Sequence, residues 1–181
     1  MRLPFTASAL ALVLFFVAGC CEDVEGLTVL GSVSIDIEDA QTGFSFPDET
    51  TLADDELADF GGPMAGHCTI DPAGPGSGVV DVAIVRPSQD DEGSRAIQSF
   101  SATLSDANGE TSGRVAASLG ETVYEAEGGA DCALTLIYVD TDTGQVGFEA
   151  ACTLSSSNGE TAEAGVSLHF RRCQILEAEA D

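Results

Sequence analysis

Polar and apolar residues alternate along most of this chain with a period of two, which predicts strands. Leu27 to Ile37 puts Leu27, Val29, Val33, Ile35 and Ile37 on one face and Thr28, Ser34 and Asp36 on the other. Gly31 falls on the apolar face, where it marks a bulge or a close backbone approach. Val79 to Arg86 reads as the next strand. Ala164 to Cys173 reads as the last, with Val166, Leu168 and Phe170 facing in and Ser167, His169 and Arg171 facing out. From Ile97 onward the pattern is a series of hairpins. Asn108-Gly109 and Asn158-Gly159 both sit in the frame Thr-Leu-Ser-x-x-Asn-Gly-Glu-Thr, fifty positions apart. Asn-Gly favours a hairpin because both residues tolerate positive φ.

Between those two turns, the segment from Cys132 to Leu154 folds about Asp142. That register sets Tyr138 against Val146, Leu136 against Phe148, Leu134 against Ala150 and Cys132 against Cys152, all on one face. One helix is predicted, over Asp48 to Phe60. There Ala53, Leu57 and Phe60 share a face, Thr51 and Asp54 form a capping pair, and Gly61-Gly62 is the stop. Gly61 to Gly78, rich in Gly and Pro, reads as a long loop held by Cys68, and Pro87 to Ser94 as an acidic turn. Together these elements predict an all-β fold: an antiparallel β-sandwich, or less readily a barrel, built of hairpins with one short helix.

The N-terminus follows a different pattern. Met1-Arg2 is followed by an apolar run to Ala18, broken only by Thr6 and Ser8. The run falls short of the about 20 residues of a membrane span and suits a secretory h-region. It closes on Val17-Ala18-Gly19-Cys20, which resembles the lipobox of bacterial lipoproteins. That resemblance implies cleavage before Cys20, lipidation of its thiol, and acylation (palmitate or a similar chain) of the new N-terminus. It also implies a mature protein anchored to a membrane and not spanning it. An aspartate directly after the cysteine would favour the inner membrane. Cys21 stands there, so the outer membrane is favoured. The expected organisation is a signal at 1–19, the lipidated cysteine and a short tether at 20–26, the β domain at 27–176, and an acidic tail at 177–181.

Charge narrows the function further. The chain has 31 Asp and Glu against 6 Lys and Arg, a formal net charge of −25, and no lysine at all. So acidic a surface is mismatched to nucleic acid, whose binding rests on cationic contacts to phosphate. It is also repelled by anionic lipid, which leaves attachment to the acyl anchor. Self-repulsion that keeps the protein soluble, adaptation to salt, and cation binding each account for the acidity. Six cysteines fit an exported protein. With Cys20 and Cys21 set aside, Cys68, Cys132, Cys152 and Cys173 make two disulfides in one of three connectivities. Cys132–Cys152 with Cys68–Cys173 is preferred over a scheme that pairs Cys152 with Cys173.

The candidate chemistry is thin. Asp140-x-Asp142-x-Gly144 begins like a calcium loop, yet position five is Gly144 and position twelve is Ala151, so the EF-hand ligand set is incomplete. Asp140 and Asp142 therefore stand as weak calcium candidates in a polar hairpin tip. His67 and His169 are the only histidines, and neither has metal-ligand spacing. Gly74 to Gly78 has neither a nucleophile elbow nor a following helix. With no Trp and only two Tyr, a sugar-stacking platform is not favoured. No cofactor and no enzyme activity is expected. The sequence points to an envelope lipoprotein acting as a structural or interaction module with an unidentified protein partner. A calcium-dependent binding domain and, behind it, an envelope hydrolase are the alternatives.

Overall fold

In the computed structural model, the described residues are 26–38, 40–53, 64–73, 78–86, 96–107 and 110–177. They form eleven strands: β1 (Thr28–Ile37), β2 (Ala40–Thr51), β3 (Ala65–Asp71), β4 (Val79–Val85), β5 (Ile97–Ala107), β6 (Glu110–Leu119), β7 (Thr122–Glu127), β8 (Cys132–Asp140), β9 (Gln145–Ser156), β10 (Thr161–Arg171) and β11 (Gln174–Ile175). No helix occurs among the described residues. All eleven belong to one sheet, in the order β11-β3-β4-β5-β6-β7-β9-β10-β1-β2, with β8 on β9 beside that path. Every pairing is antiparallel except β11 on β3.

The sheet curls until its last strand meets its first. Past the end of β2, Ala53 makes a parallel bridge to Ala65 at the start of β3. Further along the same edge, β11 takes Thr69 and Ile70. The curl encloses one core in which the period-two residues of every layer meet. Phe100 of β5 lies against Phe148 of β9 with ring centroids 6.5 Å apart, and both are fully buried with Phe170, Ile35, Ile70 and Ile84. The inward positions assigned to Val166, Leu168 and Phe170 hold.

Both preferred disulfides form. Cys68 of β3 joins Cys173, just past β10, and closes a separation of 105 residues. Cys132 and Cys152 are directly paired across β8 and β9.

Three expectations need correction. The predicted helix begins where β2 ends: Thr50 and Thr51 pair with Val29 and Thr28 of β1. Residues 54–60, the remainder of that helix, lie outside the described residues. β2 itself, missed in the sequence, buries Phe44 and Phe46 on one parity, and Pro47 fits it because the strand ends the sheet order. The expected loop from Gly61 to Gly78 contains β3, where Cys68 and Ile70 point into the core despite the surrounding Gly and Pro.

The third correction concerns β8 and β9. Their register holds from Cys132 to Leu136 and then slips by one, so that Tyr138 pairs with Gly147 and Val139 with Val146. Ile137 is the extra residue. The two Asn-Gly frames also diverge: Ala107 pairs with Glu110, a two-residue connection, whereas the second turn spans Ser156 to Glu160 with Gly159 at φ 86°.

Candidate functional site

The slip in β8 turns Tyr138 out of the core and lays it over the outer face of the sheet. Bulges are a usual means of re-aiming a side chain. The phenol ring stacks on the imidazole of His169 on β10, with centroids 5.9 Å apart, and Tyr138 Oη lies 3.2 Å from His169 Nδ1. Gly147, between them on β9, makes room. A Cβ there would lie 2.6 Å from Tyr138 Cε1 and 2.8 Å from His169 Nδ1.

Next to His169 in the same row is Leu30 of β1, an apolar side chain left 39% exposed. Opposite Leu30 the pairing of β1 with β2 is irregular too, stepping from Val29–Thr50 to Gly31–Phe46. The surplus residues Pro47 to Glu49 bring the Glu49 carboxylate back over the sheet. It accepts a hydrogen bond from Thr28 Oγ1 at 2.7 Å and an ion pair from Arg171 Nη1 at 3.1 Å. The Thr28 hydroxyl first, and then Arg171 and Arg172, hold the Glu49 carboxyl below its ordinary value. Two irregularities on separate strands thus enclose a cleft of about 210 Å³ lined by Thr28, Leu30, Glu49, Tyr138, His169 and Arg171.

The cleft lies at the end of the domain where the chain enters. Arg172 Nη1 donates to Gly26 O at 3.2 Å, and Leu52 N to Leu27 O at 2.9 Å. The β8–β9 tip closes against the same end, where Cys173 N donates to Gly144 O at 2.8 Å.

The residues singled out in the sequence are dispersed. Cys20, the lipidation candidate, lies outside the described residues, as do Cys21 and the acidic turn at 90–92. Asp140 and Asp142 occupy the β8–β9 tip, where Asp140 acts as a turn-former. Its Oδ1 accepts from the amides of Asp142 and Thr143 at 2.9 and 3.1 Å, and its Oδ2 accepts from Thr143 Oγ1 at 2.6 Å. Those bonds, the Thr143 hydroxyl foremost, lower its pKa. Both oxygens are thereby engaged within their own loop, and no group of three His, Cys, Asp or Glu able to hold a metal stands among the described residues.

His67 lies on the outer face of β3, with its Nε2 3.2 Å from Asp81 Oδ2; Asp81 Oδ1 accepts from Thr103 Oγ1 at 2.8 Å. The three residue types are those of a nucleophile triad, but the carboxylate stands between the hydroxyl and the imidazole. A general base must touch the proton that it removes. Here His67 touches the acid, so the row is a cross-strand polar ladder. The pairing of Tyr138 with His169 escaped the sequence, because counting alternate residues from Asp142 put Tyr138 inside. A bulge leaves no mark in a period-two pattern.

No family model, curated protein or solved structure matches this chain. What is defined is a class: a disulfide-braced, curled β-sheet with a small aromatic and cationic cleft where the chain enters.

Proposed function

We propose that this chain is a lipid-anchored protein of the cell envelope, held by an acylated Cys20, whose β domain serves as a non-enzymatic structural or interaction module. The observation that carries the reading is Val17-Ala18-Gly19-Cys20 at the end of a short apolar run, six positions ahead of Gly26. The two disulfides support it, since such bonds persist in oxidising compartments outside the cytosol. The outer membrane is the proposed location and a protein the proposed partner. Nucleic acid is disfavoured by a net charge of −25.

Cys20→Ser should abolish metabolic labelling by a fatty acid and move the protein from the membrane to the soluble fraction. Persistent labelling would refute the anchor. The soluble Cys20→Ser form also tests the module: titration with calcium should give no saturable heat, and a panel of ester, peptide and glycoside substrates no turnover above that of a His67→Ala, His169→Ala double variant.

A further inference from the structure

We propose that the cleft between Tyr138 and Arg171 is the face that the domain lays on the lipid headgroups of its own membrane. This rests on the lipid-anchor reading and adds an orientation to it. Gly26 lies six positions after Cys20, and at about 3.5 Å per residue that stretch reaches roughly 20 Å at most. The tether cannot lengthen by unravelling β1, because Arg172 holds Gly26 O and Leu52 holds Leu27 O. Thr28 and Arg171, at the ends of their paired strands, therefore stay within tether reach of the bilayer.

The chemistry of this end suits that neighbour. Leu30 and Tyr138, 39% and 38% exposed, present an aliphatic and an aromatic surface, and tyrosine favours the headgroup level of a bilayer. Arg171, Arg172 and His169 bring three of the chain's eight basic side chains, counting arginine and histidine, to one short stretch. A guanidinium pairs readily with phosphate oxygens. Glu49 already holds one side of Arg171, and the whole molecule is strongly acidic. The surface therefore matches zwitterionic headgroups, which offer a phosphate without net charge, better than anionic ones. Leu30 and the Tyr138 ring enter the interface while the arginines meet the phosphates.

The chain has no tryptophan, so a single one can report depth. Leu30→Trp and Tyr138→Trp, made separately, place it in the cleft. Ser157→Trp places it at the β9–β10 turn, ten residues along from Gly147 and about 33 Å away at the strand rise of roughly 3.3 Å per residue. Each lipidated full-length variant is reconstituted into vesicles of brominated phosphatidylcholine and floated on a density gradient. The expected result is flotation of all three, strong quenching with a blue shift for both cleft probes, and emission from the Ser157 probe equal to that in unbrominated vesicles. Replacing a third of the lipid with phosphatidylglycerol should weaken the cleft quenching.

Flotation with silent cleft probes, or with all three probes quenched alike, overturns the orientation and leaves the anchor standing; silent cleft probes would leave the cleft to a protein partner. Failure to float overturns the anchor and the orientation with it.

Discussion

Gly31 and Glu49 show how single residues are committed in this domain. Gly31 sits at φ 124°, and a Cβ on it would lie 2.0 Å from Ser167 O of the neighbouring strand. The obstacle is backbone, so β1 and β10 would have to separate. Gly31→Ala should destabilise the domain by about 3 kcal/mol or more, the scale of a strained position combined with a broken ladder. A chemical-denaturation midpoint close to that of the parent would refute this.

Glu49 makes its prediction through protons. Because its folded pKa is lowered, its bonds to Thr28 and Arg171 contribute stability above the ordinary carboxylate range and lose it as pH falls through the lowered value. Thr28→Val removes the largest cause, and carboxyl titration followed by NMR should then find Glu49 moved up toward an ordinary glutamate. Asp140 obeys the same sign, with Thr143 as its largest cause.

Among the elements, the β8–β9 hairpin combines a disulfide, a bulge and an Asx-type turn. Each has a separate role. Cys132–Cys152 locks the inner register, Ile137 absorbs the slip, and Asp140 shapes the tip. In the chain-entropy view a cross-link stabilises more when it closes a longer loop. The separations of 105 and 20 residues predict about 4.8 and 3.3 kcal/mol for Cys68–Cys173 and Cys132–Cys152 respectively. Paired Cys→Ala variants should therefore lower the melting temperature more for Cys68 and Cys173. The reverse order would mean that the reduced chain keeps the β3 end docked without its bond. At the centre of the same hairpin, Phe148 is fully buried against Phe100, and Phe148→Ala should cost about 3–5 kcal/mol.

For the whole molecule, charge sets the behaviour. A net −25 on one folded domain opposes compaction through self-repulsion, and the Debye length contracts from about 30 Å at 0.01 M salt to about 3 Å at 1 M. Added sodium chloride should therefore raise the melting temperature progressively, each 1 kcal/mol gained giving about 2–4 °C. A flat or falling profile in differential scanning calorimetry would show that ion pairs such as Arg171–Glu49 outweigh the repulsion. The same repulsion keeps the domain from anionic bilayers, so the lipid on Cys20 and the contacts around Leu30 and Tyr138 must together hold it to its surface.

The sequence alone was enough to show the strand-rich class, the inward faces of β1, β4 and β10, the disulfide pairing and the Cys132–Leu136 register. Each of these depends on a period of two or on the parity of residues that face one another, which is local information. It misread Thr50 and Thr51 as helical and Cys68 and Ile70 as loop, because Gly, Pro and a brief helical spacing outweighed two short alternations. Tertiary structure decided the rest. Whether Ala53 would bridge Ala65 and close the curl depends on the accumulated twist of the strands between them. Whether Tyr138 would face in or out depends on one surplus residue, Ile137. The cleft takes its side chains from β1, β2, β8 and β10, separated by as many as 143 positions, and only the folded sheet brings Thr28 and Arg171 together.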